Sequence, residues 1–290
     1  MNRRTFLKLA AALPAASCFL SAEDALGFVY PFPDGKSDPS AGICRIEDGQ
    51  KIYNSEYFKK IKEFNHSFKD DVIASPAEFA LIQSCNGKLR ELMKFVGFGN
   101  FNVLSYRDAL STMSLRGALA EFTPQEKNFM EEFFRRSASA YGFYGDRIFN
   151  SLYDEVKDRH VFKMPGTGHF IYKGKAEATY AKITADMKTL ILTSGVRSIV
   201  KQAGLFLAKT VETKGNLSMA SRSIAPIGYS YHGTGDFDVG IKGWGHFNFT
   251  DRFATTREYS RLLEEGYMRI RYDRKNPYGV RFEPWHVKVV

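Results

Sequence analysis

Near the C-terminus, Glu283-Pro284-Trp285-His286 sets a carboxylate three residues before an imidazole. The pairing suits a hydrolytic metal centre. The imidazole can ligate a metal ion, and a carboxylate that is not a ligand can take a proton from water. On a regular strand, residues three apart point to opposite faces. Both side chains therefore serve one centre only if the chain bends, and Pro284 favours such a departure. Alone, the tetrapeptide equally describes a surface glutamate and a half-buried histidine.

A second group of such residues lies in "SYHGTGDFDVG", residues 230–240. Gly233 and Gly235 permit a tight turn after His232. Asp236 and Asp238 then share one face of the strand that follows, with Phe237 on the other. A turn and strand of this kind can supply a histidine and an aspartate ligand, and His286 would be the third. The alternative is an ordinary polar turn, since Asp and Gly abound in turns. A third element is Ser194-Gly195-Val196-Arg197-Ser198, with Gln202 five residues after the arginine. A guanidinium fixed there binds a substrate carboxylate or stabilises an oxyanion; otherwise it is a solvent-facing arginine at a helix start. His246 in "GWGHFNF" is the main rival ligand, and His169 in "GTGHFIY" is similar. Such histidines more often pack and make one hydrogen bond, so both are left outside the site. His66 and His160 lie in charged stretches and are expected in solvent.

These residues need elements to position them. From about residue 53 to 160 the pattern is helical. Ser75-Pro76-Ala77-Glu78 and Thr123-Pro124-Gln125-Glu126 read as N-cap, first-turn proline and capping-box glutamate, and Ser105 with Asp108 is a weaker version. Between them, apolar residues recur at three- and four-residue spacing, which predicts four or five helices rich in core phenylalanine and carrying no chemistry of their own. "MPGTG" at 164–168 marks a boundary. Beyond it, "GKAEATYAKITADMK", "SIVKQAGLFLAKTVE" and "TTREYSRLLEEGYM" read as helices. "TLILTSG", "YSYHGTGDFDVGI" and "VRFEPWHVKVV" read as strands, the second after a turn. The expected class is α+β over 165–290, preceded by an all-α region over 53–164 and an irregular Pro/Gly-rich arm over 23–52.

Composition limits the partners. The 290 residues include 25 Phe and are 44% hydrophobic, enough for a substantial core and against disorder. The formal charge is +9. "MNRRTFLKLAAALPAASCFLSA" resembles a twin-arginine export signal, read by a receptor, with cleavage near Ala22. Without its Arg3, Arg4 and Lys8 the charge excess falls to about +6. The basic residues are dispersed, so nucleic acid is not an expected partner, whereas an anionic cell wall is compatible. The apolar run of the signal is too short and interrupted for a membrane span. Cys18 is a lower-ranked lipid-attachment site. In an oxidising compartment Cys44 and Cys85 either pair or remain two buried thiols.

Taken in order, the three motifs resemble those of the zinc D-alanyl-D-alanine carboxypeptidases, the VanY-type LAS metallopeptidases. The family pattern is Ser-Gly-Tyr-Arg-Ser with a downstream Gln, then Ser-x-His-x-x-Gly-x-Ala-x-Asp, then Glu-Pro-Trp-His. The resemblance spans about residues 170–290 and includes "FATTREYSRLLEEGYMRIRY". It implies a small antiparallel sheet with flanking helices carrying a zinc site. His232, Asp238 and His286 would bind zinc, with Glu283 as general acid/base and Arg197 on the scissile carbonyl. Ser230 and Gln202 would help hold the peptide. The implied reaction is hydrolysis of D-Ala-D-Ala in peptidoglycan stem peptides by zinc-activated water, in the periplasm or cell envelope. Alternatives are a cross-link endopeptidase and a wall-binding protein that has lost catalysis.

Two departures matter. Val196 replaces the family's tyrosine. The His–Asp spacing is one residue short, so the family's aspartate position falls on Val239. If the turn absorbs the shortening, Asp238 is the ligand and Asp236 orients His232 from behind; if the strand absorbs it, Asp236 must serve.

Overall fold

Each helix of the N-terminal half starts where a side-chain oxygen can satisfy free backbone N–H groups, or directly after a preceding helix. The computed structural model describes residues 45–47, 50–117, 119–267 and 269–289. The export signal, Cys18, Cys44 and most of the arm over 23–52 lie outside them. Within that arm, read as irregular, β1 (Arg45–Glu47) and β2 (Gln50–Ile52) pair antiparallel. Asp48-Gly49 between them is a favoured hairpin pair in sequence. Five helices follow: α1 (Ser55–Lys62), α2 (Pro76–Val96), the single-turn α3 (Phe98–Phe101), α4 (Tyr106–Arg116) and α5 (Pro124–Arg135). Asn54, Ser75 and Ser105 cap α1, α2 and α4 through their side chains. Thr123 and Glu126 form both bonds of a capping box on α5.

The second half is built around a sheet. β3 (Val161–Lys163) and β4 (Phe170–Tyr172) pair antiparallel, and α6 (Lys175–Asp186) follows. Then come β5 (Leu190–Ser194), α7 (Ile199–Glu212), the short α8 (Leu217–Ser221), β6 (Phe237–Ile241), α9 (Arg257–Glu264) and β7 (His286–Val287). β5, β6 and β7 form a three-stranded antiparallel sheet with β6 in the middle. Phe237, Val239 and Ile241 turn into one core with Tyr180, Leu192, Trp285 and Val287. By strand alternation, Asp236, Asp238 and Gly240 face the other way. Gly240 is required there: a Cβ would lie 2.6 Å from the Asn248 side chain, whose amide bonds both the N–H and the carbonyl of Ile241.

The expected last strand over "VRFEPWHVKVV" shrinks to His286–Val287. A turn precedes it, closed by the His286 N–H donating to the Glu283 carbonyl at 3.1 Å. Pro284, with no N–H and a fixed φ, suits the second position of such a turn and not a ladder.

The helical core does not stop at residue 164. Leu89, Leu92, Phe129, Met130 and Phe133 pack in one buried cluster with Ile199, Ala203, Phe206 and Leu207 of α7. α7 therefore belongs to the helical layer along its length, while its first turn abuts the sheet. Cys85 on α2 is a buried free thiol, and burial pushes its pKa up to about 12. No described helix is long and apolar enough to cross a membrane.

Phe206 is fully buried where the aromatic rings of Phe133 and Tyr141 meet α7. Phe206→Ala is expected to cost about 3–5 kcal/mol in urea unfolding. Leu115→Ala, at a 73% exposed position, should change stability by less than about 0.5 kcal/mol. Equal effects for the two variants would refute this account of the core.

Candidate metal and catalytic site

Sheet register assembles the site. Asp238 on β6 lies between Ser194 of β5 and His286 of β7 as the direct partner of each. Directly opposed residues put their side chains on the same face, about 5 Å apart. Asp238 and His286 thus meet without any loop. His232 arrives from the turn Tyr231–Gly233 just before β6. Ligand atoms of His232, Asp238 and His286 lie within 4.8 Å of one another, and all three residues are buried.

Hydrogen bonds set both imidazoles. His232 Nδ1 lies 2.7 Å from the Gly195 carbonyl, which can only accept, so Nδ1 holds the proton and Nε2 presents a lone pair. That Nε2 is buried without a hydrogen-bond partner. His286 is held the opposite way round, with Nε2 donating to Asp236 Oδ2 at 3.0 Å and Nδ1 facing the site. His286 Nδ1 is 3.1 Å from Asp238 Oδ1 but off the hydrogen-bonding direction, and Asp238 Oδ1 has no hydrogen-bond partner. Three nitrogen and oxygen atoms thus converge on a common point instead of bonding one another. Two imidazoles, of which His286 gives up a proton on binding, and a carboxylate with an orphaned oxygen fit a zinc ion with an open coordination position.

The register sets Asp238, and not Asp236, opposite Ser194 and His286. Asp236 does not orient His232, as the sequence suggested; it orients His286. It lies on the same face as Asp238 but on the far side of the His286 ring, while His232 is already held by Gly195. Arg271 grips Asp236 through Nε at 2.5 Å and Nη2 at 3.3 Å, and the Val289 N–H donates to it at 2.9 Å. The Arg271 guanidinium stacks on Tyr231, 3.6 Å from the ring centroid. Arg271 was not singled out from sequence; its signal was only an alternating "RIRY" beside a strand.

Glu283 reaches the site because of the turn that delays the start of the last strand. Its Oε2 is 3.9 Å from His286 Nδ1, and its Oε1 is 3.6 Å from Arg281 Nε. Burial raises its pKa, and Arg281 and His286 offset that only in part. Arg197 donates through Nε to Ser194 Oγ at 3.0 Å and through Nη2 to Asp238 Oδ2 at 2.8 Å. It is therefore not a solvent-facing arginine. Burial would raise Asp238, but His232, His286 and Arg197 hold it well below the usual carboxylate range. Burial, with Arg197 beside it, lowers His232 to about 4. Burial also disfavours charge on His286, yet Asp236 and Asp238 outweigh it and lift His286 to about 9.

The strand–helix loop is locked from two sides, by the Phe170 and Asn102 carbonyls. Gly195 admits the Phe170 carbonyl so closely that a Cβ would lie 1.9 Å from it. The Val196 N–H donates to that carbonyl at 2.7 Å, and the Ser198 N–H to the Asn102 carbonyl at 2.8 Å. Val196, in the place of the family's tyrosine, is buried among Val156, Val161 and Phe170 and offers no surface to a ligand. Ser230 is buried at the start of the His232 turn. Gln202 is fully buried; its Nε2 donates to the Ala225 carbonyl at 2.5 Å, and its Oε1 has no partner. His246 is exposed on the turn Gly245–Phe249, against Phe247, and is not among the convergent residues. His66 and His160 are exposed. His169, left outside the site, lies within electrostatic reach of Asp238 and His232.

Residues 172–290 match the VanY family model, D-alanyl-D-alanine carboxypeptidase. No curated protein matches the chain significantly. Three solved structures are similar. The LdcB LD-carboxypeptidase, whose structure concerns peptidoglycan recognition, shares 24% identity over 44% of this chain and 63% of its own, with a TM-score of 0.38. The D,D-pentapeptidase VanY of a VanB-type vancomycin-resistance cassette, a mutant in complex with Zn(II), shares 22% over 45% and 78%, with a TM-score of 0.37. VanYB in complex with D-Alanine-D-Alanine shares 23% over 45% and 76%, with a TM-score of 0.37. This chain thus spans less than two thirds of the first of these proteins.

Two outcomes follow for metal binding. Asp238→Ala should abolish most zinc binding. Asp236→Asn, which leaves all three ligand atoms in place, should weaken binding by about 10–100-fold. The reverse order, read by mass spectrometry and chelator competition, would make Asp236 the ligand. Below about 9 His286 is protonated in the metal-free protein, so a bound metal must displace that proton. Zinc affinity is therefore expected to rise with pH between about 7 and 9, by about tenfold per unit. A flat profile would contradict the assigned state of His286.

Proposed function

We propose that the chain is an exported zinc peptidase that removes the terminal D-alanine from D-Ala-D-Ala stem peptides of peptidoglycan. The observation that carries this reading is the convergence of His232 Nε2, Asp238 Oδ1 and His286 Nδ1, two of them buried without partners, with Glu283 beside them. The family-model match over 172–290 supports the substrate class. The export route rests on the twin-arginine pattern at residues 3–8.

His232, Asp238 and His286 would hold the zinc, which would supply a Lewis acid and a water acidic enough to be a nucleophile near neutral pH. Glu283 takes the proton from the attacking water and passes it to the amine of the departing residue. A carboxyl raised by burial suits both halves of that cycle. Arg197 is held rigidly by Ser194 and Asp238, and its Nη1 makes no hydrogen bond among the described residues. That group donates to the carbonyl oxygen as negative charge develops there. Ser230 and Gln202 support the loops that face the peptide. The retained buried Glu283 favours catalysis over a wall-binding role, since a binder gains nothing from a desolvated carboxyl.

The zinc-loaded protein, incubated with a stem pentapeptide ending in D-Ala-D-Ala, is expected to yield the tetrapeptide and free alanine by mass spectrometry, and to stop on chelation. An intact pentapeptide would reject the reading. Glu283→Ala should keep its zinc and lose about a hundred- to ten-thousandfold in turnover. Near-normal turnover would remove Glu283 from the mechanism.

A further inference from the structure

Lys201 lies in the first turn of α7, four residues after Arg197. It is only 7% exposed, yet no carboxylate or other hydrogen-bond acceptor among the described residues holds its ammonium. Its charge is met only by aromatic faces: Nζ is 4.4 Å from the centroid of Phe98 and 6.0 Å from that of Phe101. The first turn of α7 contains no acidic residue. The backbone N–H of Lys201 is capped by Ser198 Oγ at 3.2 Å, so the residue is fixed on the helix start. His169 meets the same Phe98 ring edge-on, centroids 5.4 Å apart. Burial and then Arg197 lower Lys201 to about 7, and burial, Lys201 and Arg197 lower His169 to about 4.

A cation so far withdrawn from water and without a counter-charge carries a desolvation penalty that an anion would relieve. An aliphatic side chain would fill this place without that penalty. Asp238, the acid that Arg197 contacts, is already shared by that arginine and two histidines. Lys201, Arg197 and the positive end of α7 therefore leave an excess of positive charge beside the candidate centre. In a peptide cleaved at its last bond, the free carboxylate lies one residue beyond the carbonyl that Arg197 addresses, about 3.8 Å of chain. The next cation along the helix from Arg197 is Lys201.

We propose that Lys201, with His169 and Phe98 beside it, forms a subsite for the free α-carboxylate of the departing residue and so makes this chain an exopeptidase. This rests on the peptidase reading above and deepens it. A cross-link, whose corresponding residue continues into further chain, has no carboxylate to place there.

The probes are N-acetyl-D-alanyl-D-alanine and its C-terminal amide, offered to the zinc-loaded full chain and to Lys201→Met. Binding is measured by calorimetry and hydrolysis by product analysis. The wild type should bind the acid about 10- to 100-fold more tightly than the amide, the range set by a charge-assisted hydrogen bond. Lys201→Met should bind the two within about threefold of each other, through loss of affinity for the acid alone. Any direct contact of the carboxylate with metal is common to both proteins and cancels. Lys201→Gln repeats the comparison if circular dichroism shows the methionine variant to be misfolded. An undiminished acid preference in both variants overturns the subsite, and so does a wild type that treats acid and amide alike. If neither peptide is hydrolysed but the preference and its loss are seen, the subsite stands and the peptidase reading falls.

Discussion

Everything at the site depends on putting one ionised carboxylate, Asp238, in the middle of a buried sheet. A carboxylate taken out of water costs several kcal/mol unless charges and hydrogen bonds replace the lost hydration. Here Arg197 comes from the β5–α7 loop, His286 from the neighbouring strand and His232 from the preceding turn. Each of these three is fixed by something else: Ser194 for Arg197, Asp236 for His286, and the Gly195 carbonyl for His232. The arrangement is preorganised, because no member can move without uncovering the charge at its centre.

That constraint gives the helical half a role that its sequence does not reveal. Its residues do no chemistry, but they hold the loop that does. The Asn102 carbonyl receives the Ser198 N–H, so the end of α3 fixes the start of α7. Phe206 and Leu207 then anchor α7 in the core of α2 and α5. Phe98, exposed on the short α3, covers Lys201. The helical layer is therefore the wall against which Arg197 and Lys201 are presented.

The legible part of the fold was the part governed by local rules. Ser75, Thr123 and their capping glutamates announced α2 and α5. The alternation of Phe237, Asp238 and Val239 announced β6 and its two faces. His232, Asp238 and His286 were legible because the chemistry demands those residue types, whatever their surroundings. Pairings between distant segments were not legible. Nothing local says that Arg271 closes on Asp236, thirty-five residues away. Nor does the sequence say that Lys201 lies beneath two phenylalanines. The late start of the last strand was half visible: Pro284 argued for a bend, but the turn that brings Glu283 back beside His286 is a tertiary result.

The one-residue shortening between His232 and Asp238 shows how the two aspartates come to differ. Losing a residue in the glycine turn keeps Asp238 in register with Ser194 and His286, whereas losing it in β6 would flip Phe237 and Val239 out of the core. With the register kept, Asp236 necessarily falls on the face of Asp238, where the related pattern has a small alanine. A second carboxylate so close to the first would repel it. Arg271 prevents this by gripping both oxygens of Asp236, and Tyr231 covers the guanidinium. Asp236 is thereby free to accept from His286 Nε2 and leave Nδ1 facing the centre. The shortened turn, the extra aspartate and its buried arginine are one structural solution, in which each residue is intelligible only through the other two.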